Sequence, residues 1–304
     1  MKKNKTGYIP QSKIIIASRE SRLAVIQSMT LMKYIEEQVP QTGASLLTMK
    51  TTGDRVLDRT LDQIGGKGLF VKELDQALLA GQADLAVHSL KDMPMQMEPA
   101  LPILAYSKRE DPRDVLVLPA GITEIPADLP IGSSSLRRQI QLKKLYPDRE
   151  ILPVRGNIQT RLRKLDEGQF GALVLAAAGL IRLGLEDRIS RYFTLDEIIP
   201  AAGQGIIAVQ GKIDRDFGWL KGYDDAGSRA AATAERAYVT ALNGGCSSPV
   251  CAHAQLEGNQ LRLRGLYYEE STGLVRTGVL TGEVFEAREL GLRLAKALQE
   301  GVSV

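Results

Sequence analysis

Short apolar or β-branched runs alternate along this chain with stretches of helical period. The pattern predicts a strand at 14–17, a helix over 23–37, a strand near 45–50, a helix over 70–79 and a strand at 84–87. Apolar positions at helical spacing bury one stripe of a helix, and short unbroken apolar runs suit strands covered on both faces. This βαβα rhythm predicts an open, largely parallel sheet. A charged crossing, KREDPRD at 108–114, interrupts it. The rhythm then resumes with strands near 115–118, 151–154 and 173–175 and helices over 136–145 and 158–165.

A second crossing, IPAAGQG at 199–205, leads into apolar 206–209, which is expected to re-enter the first sheet. From about residue 228 the pattern changes to a helix (230–242), a hairpin around Gly258-Asn259, a strand near 274–280 and a closing helix (285–298). Three parts are therefore expected: domain 1 from 12–108 with 206–224, domain 2 from 113–200, and a small C-terminal α+β domain from 228–304. Two crossings imply a hinged pair of α/β domains with a cleft between them.

Composition narrows the function. With 39 basic against 36 acidic residues, a net charge of +3 and only 5% aromatic residues, a basic coat interleaved with aromatics is missing, so no nucleic-acid partner is expected. No apolar run reaches the ~18 residues of a membrane span, and MKKNKTGYIPQSK has no apolar signal region. A cytoplasmic protein without a membrane partner is expected. Cys246 and Cys251 are too few for a disulfide scaffold and are read as thiols.

The charge matters locally. Gly132-Ser133-Ser134-Ser135 precedes one predicted helix and Gly156-Asn157 another, and helix N-termini present unpaired N–H groups to anions. Arg137, Arg138, Arg155 and Arg161 add forked donors suited to carboxylates or phosphates, unless they form a solvated basic face. Ser18-Arg19-Glu20-Ser21 and His88-Ser89-Leu90-Lys91-Asp92 fall at other strand ends, where ligands of open sheets bind. The expected ligand is a small polyanion.

Two histidines leave little material for a histidine-based mechanism, so proton transfer falls to a carboxylate. Asp92 is the candidate, with a helix cap or turn as its ordinary alternative. Cys246 lies in a glycine-containing loop and is read as a nucleophile or attachment point, as a structural thiol, or with Cys251 and His253 as three zinc ligands lacking a fourth. GGKGLF at 65–70 lacks the Walker spacing and reads as a loop whose Lys67 and Phe70 cover the cleft.

HSLKDMP at 88–94, GSSSLRRQ at 132–139, VRGNIQTRL at 154–162 and GGC at 244–246, joined in order by GGKGLFVKEL at 65–74, AAAGLIRLG at 176–184 and PAAGQG at 200–205, resemble the porphobilinogen deaminase family. The resemblance covers about residues 13 to 265. It implies two periplasmic-binding-protein-like domains and a third carrying a cysteine that holds a dipyrromethane cofactor by a thioether. Such enzymes deaminate porphobilinogen and add its units head to tail, releasing hydroxymethylbilane, and a monomer is expected. No metal is implied.

Carried over by motif, Cys246 is the anchor and Asp92 the catalytic carboxylate on pyrrole N–H groups. Ser89, Lys91, Ser133, Ser135, Arg137, Arg138 and Arg161 take cofactor contacts. Substrate and growing chain fall to Arg19, Ser21, Gln27, Arg155, Arg182 and Gln204, again with Arg161. Every pyrrole brings two carboxylates, which calls for many arginines, whereas departure of ammonia leaves a cation that one carboxylate can stabilise. The alternative is a non-catalytic receptor or regulator binding a small polyanion in the same kind of cleft. It would need neither Cys246 nor Asp92.

Overall fold

The computed structural model describes residues 13–55, 68–245, 248–269 and 271–304. The first sheet contains β1 (Lys13–Arg19), β2 (Gly43–Met49), β3 (Leu85–Ser89), β4 (Ile103–Tyr106) and β10 (Ile207–Gly211), in the order β2-β1-β3-β10-β4. The second contains β5 (Asp114–Val117), β6 (Ile131–Gly132), β7 (Ile151–Leu152), β8 (Ala172–Ala176) and β9 (Arg191–Tyr192), in the order β7-β6-β8-β5-β9. Both sheets therefore share one plan, four strands running one way and the fourth in order, β10 or β5, running against them.

The expectation of largely parallel sheets holds in strand direction, with one reversed strand in each sheet. In the first sheet β1 pairs parallel with β2 and β3, but β10 runs antiparallel to β3 and β4. In the second, β6 pairs parallel with β7 and β8, but β5 runs antiparallel to β8 and β9. The crossings are the reason. Each delivers the chain to the carboxyl end of a parallel strand, Asp114 opposite Ala176 and Ile207 opposite Ser89, so the incoming strand must run back.

Helices cover both faces of each sheet, which explains the unbroken apolar runs. On one face of the second sheet Val115, Val117, Leu173 and Leu175 pack with Leu162 and Leu165 of α5 (Ile158–Asp166). On the other, Leu116 and Val174 pack with Leu142 of α4 (Leu136–Leu145) and with Phe193. In the first sheet, α1 (Arg22–Gln38) buries Leu31 and Ile35 against Ile14, Ile16, Leu85 and Val209, and α3 (Lys72–Leu79) buries Leu74 and Leu78 on the opposite side. A four-residue α2 (Thr52–Arg55) and the short α6 (Ala177–Arg182) sit at cleft-side strand ends.

The C-terminal part packs α7 (Ala226–Ala241) and α8 (Ala287–Glu300) on an antiparallel sheet of β11 (Cys251–Glu257), β12 (Gln260–Glu269) and β13 (Leu274–Glu283). Helix α7 starts about one turn before the expected 230 because Asp225 accepts from the backbone N–H of Ser228 at 2.7 Å. Within α7 the buried Glu235 clamps both crossings: it takes Arg109 bidentately at 2.8 and 2.8 Å and the Gly203 N–H at 2.7 Å. It also accepts from the Ala254 N–H at 2.7 Å. Among the described residues no helix is long and apolar enough to cross a membrane.

Candidate active site

A cavity of about 620 Å³ opens between the two sheet domains at the strand ends. From the first domain, Arg19 stands at the end of β1, Ser21 begins α1, and the turn Leu90–Asp92 after β3 brings in Lys91 and Asp92. From the second come Arg138 on α4, Arg155 and Arg161 around the start of α5, and Arg182 on α6. Gln204 enters from the second crossing. Among the described lining residues are eight Lys or Arg side chains and three Asp or Glu. Such a wall selects anions.

Local structure aims these groups. Ser21 Oγ accepts from the Ala24 N–H at 3.4 Å and Asn157 Oδ1 from the Thr160 N–H at 2.9 Å, capping α1 and α5 where both begin at the cavity. At Gly156 the backbone takes φ +114°, a conformation favouring glycine, and Arg161 Nε donates to its carbonyl at 2.8 Å. Arg182 donates to the Gly205 carbonyl at 2.6 Å, tying α6 to the second crossing. Gln27 Nε2 donates to Ser89 Oγ at 2.9 Å.

The electrostatic centre of the wall is Asp114, a residue the sequence motifs do not single out. It is fully buried at the start of β5. Its carboxylate accepts from Arg137 at 2.6 Å, from Arg138 Nε and Nη2 at 3.1 and 2.7 Å, and from Gln204 Nε2 at 2.9 Å. Burial alone would raise its pKa. The charges and hydrogen bonds of Arg137 and Arg138 outweigh burial and hold the carboxyl well below the usual range.

Elsewhere desolvation wins. Burial pushes Lys91 down to about 8, with Asp92 opposing the shift and Arg138 adding to it. Arg161 falls to about 10 through burial and then the neighbouring Arg138 and Arg155, again opposed by Asp92. Arg182 is lowered by burial. An incoming carboxylate would relieve this crowding of positive charge, which is a driving force for binding polyanions. Gln204 links the two domains here, accepting from Lys91 Nζ at 3.3 Å while donating to Asp114 and to the Pro112 carbonyl.

Some sequence candidates lie apart from the cavity. Ser133 and Arg137 are buried behind its wall, Arg137 also donating to the Ile199 carbonyl at 2.7 Å. The Ser135 N–H donates to Ser133 Oγ at 3.4 Å, and Ser135 precedes α4 without a side-chain cap. Lys67 and Cys246 lie outside the described residues, whereas Phe70 lines the cavity. Cys251 is buried beside Gln141, and burial pushes its thiol up to about 12. No group of three or more His, Cys, Asp or Glu suited to a metal occurs among the described residues.

His88 and His253 are buried and lowered to about 4, first by desolvation, and His88 faces Gln210 rather than the cavity. Sequence reading also missed Asp54, paired with Arg19, and Glu235. Asp114 had a usable signal, a carboxylate directly ahead of the apolar VLVL run, and buried charges of that kind need partners. Nothing local marks the other two.

A family model described as "Porphobilinogen deaminase, dipyromethane cofactor binding domain" matches residues 14–217, and one described as "Porphobilinogen deaminase, C-terminal domain" matches 230–300. The porphobilinogen deaminase of Ruminiclostridium cellulolyticum is 54% identical over 94% of this chain and 98% of that protein. That of Ruminiclostridium josui is 52% identical over 96% and 99%. The periplasmic aliphatic sulphonate binding protein of Escherichia coli aligns at TM-score 0.40 and 11% identity, over 77% of this chain and 71% of that one.

Proposed function

The chain belongs to the porphobilinogen deaminase family, ammonia-releasing transferases that make hydroxymethylbilane in tetrapyrrole biosynthesis and carry a dipyrromethane cofactor, and from that membership we propose how its own residues act. The observation that carries the proposal is the excess of cations from both domains around one cavity, with Asp92 a carboxylate that opposes burial at Lys91 and Arg161. This donor set fits a chain of pyrroles, each with two carboxylates. When bound, the dipyrromethane supplies the end to which porphobilinogen units are added.

In this reading Cys246 carries the cofactor through a thioether. Ser89, Lys91 and Arg138 hold its carboxylates with Arg161, and Arg137, Ser133 and Ser135 support that wall from behind, Arg137 through Asp114. Arg19, Ser21, Gln27, Arg155, Arg161, Arg182 and Gln204 receive substrate and growing chain. As the substrate's C–N bond breaks, the electron pair leaves with ammonia and positive charge passes to the pyrrole. Asp92 stabilises that charge, a preorganised anion aimed at a developing cation.

Domain 1 (12–108 with 206–224) and domain 2 (113–200) supply the cleft, and 228–304 supplies the anchor. Sheet membership supports this division. The same reading takes the enzyme as a cytoplasmic monomer without nucleic-acid or membrane partners, which light scattering after size exclusion tests for oligomeric state. Intact-protein mass spectrometry tests the centre of the proposal. The active chain should exceed its sequence mass by one dipyrromethane on Cys246, unchanged by dithiothreitol. Full activity at the unmodified mass, or an adduct on Cys251, would overturn the attachment.

A further inference from the structure

The fork of Arg19 is already filled. Its guanidinium pairs bidentately with Asp54, Nε reaching Oδ2 at 3.1 Å and Nη2 making a second contact with Oδ1. Phe70 covers the same group, its ring centroid 4.3 Å from Cζ. Arg19, Asp54 and Phe70 all line the cavity, and the paired side chains keep 23% and 18% of their surface exposed. Gly53 makes room for the arrangement, because a Cβ there would collide with the Phe70 ring.

Asp54 does not depend on Arg19 alone. Its Oδ2 also accepts from Thr51 Oγ1 at 2.7 Å and from the Thr51 N–H at 3.2 Å. If Arg19 turned to another carboxylate, Asp54 would keep two donors and some contact with solvent, so no buried anion would be orphaned. The exchange replaces one bidentate carboxylate by another and preserves the charge-assisted bonds of the guanidinium. A ligand without a carboxylate has nothing equivalent to offer.

We propose that Asp54 is a built-in competitor for the substrate carboxylate: it pairs with Arg19 and yields that arginine when a ligand carboxylate arrives. The inference rests on the assignment of Arg19 to substrate binding. Asp54 thus lowers affinity for the correct ligand while keeping Arg19 ordered and paired between turnovers. Removing it leaves Arg19 in the cavity with its fork open.

The test is calorimetric binding of a pyrrole bearing acetate and propionate but no aminomethyl group, which has no leaving group and is not turned over. Cofactor-loaded native protein is compared with Asp54→Asn, Asp54→Ser, Arg19→Gln and the Asp54→Asn/Arg19→Gln double variant, each first checked for a cooperative melting transition. Both single Asp54 variants should bind the diacid about two- to fivefold more tightly, the range of a partly exposed ion pair. That gain should vanish in the Arg19→Gln background. Unchanged or weaker binding in folded Asp54 variants, while Arg19→Gln still weakens binding, would overturn the competitor and leave the substrate assignment standing. Equal affinity of native protein and Arg19→Gln would overturn both.

Discussion

Asp114 holds Arg138 by both arms of its guanidinium side, Oδ1 accepting from Nε at 3.1 Å and Nη2 at 2.7 Å, while its other oxygen takes Arg137 at 2.6 Å. One buried carboxylate therefore orders two adjacent arginines, of which only Arg138 lines the cavity. The wall that meets the ligand is built on an anion hidden beneath it.

Replacing that anion should be costly. Asp114→Asn leaves two buried cations without a counter-charge and is expected to lower unfolding free energy by ~3–5 kcal/mol, measured by urea denaturation at neutral pH. Because Asp114 has a depressed pKa in the folded state, its stabilisation is complete above the unfolded value near ~4 and is lost as pH falls through the lower folded value. The native protein should therefore show a steeper acid loss of stability than Asp114→Asn. Matching acid profiles would argue against the pairing.

For Asp92 the expected effect is on rate rather than on folding. Asp92→Asn keeps the size of the side chain and removes its charge, so a cofactor-loaded variant should lose on the order of 10²-fold or more in turnover. Asp92→Glu should retain more activity than Asp92→Asn, because the carboxylate survives one methylene away. Near-normal turnover by a loaded Asp92→Asn enzyme would remove the residue from the chemistry.

Lys91 should give the site an alkaline limb. Burial lowers it to about 8, so above that pH it sheds its proton and one cation leaves the anion-binding wall. Affinity for an unreactive pyrrole diacid is expected to fall between pH 7 and 9.5 in the native protein. Lys91→Arg should move the loss to higher pH, since an arginine holds its proton throughout this range. A flat native profile would exclude Lys91 as the titrating group.

Cys251 should be chemically silent. Its thiol is buried and raised to about 12, so almost none is thiolate near neutrality, and the thiolate is the reactive form. Cys251→Ser is expected to leave the cofactor mass increment intact, whereas Cys246→Ser should abolish it. Native alkylation with iodoacetamide should spare Cys251, as peptide mapping would reveal.

The long periodic elements were legible without a structure. Helix α4 spans Leu136–Leu145 as its pattern predicts, and the return of the chain to the first sheet at β10 follows from an apolar run after a glycine-rich crossing. Two-residue strands such as β6 and β9 were not, because two residues carry no period. Strand direction was also hidden. A run of apolar residues reads the same in either orientation, and only the position of the crossings reverses one strand in each sheet.

The sequence by itself determined which residues can bind polyanions and in what order their motifs occur, since helix starts, arginines and turn glycines are local signals. Only the tertiary structure decided which of them face a common cavity. Arg137 and Arg138 are neighbours in sequence, yet one supports the wall from behind and the other lines it. Asp54 and Asp114 look like ordinary acidic residues in the chain, and their importance arises from pairing across 35 positions with Arg19 and across 23 and 24 positions with Arg137 and Arg138. Electrostatics depends on distance in space and on exclusion of water, and neither quantity is written in sequence separation.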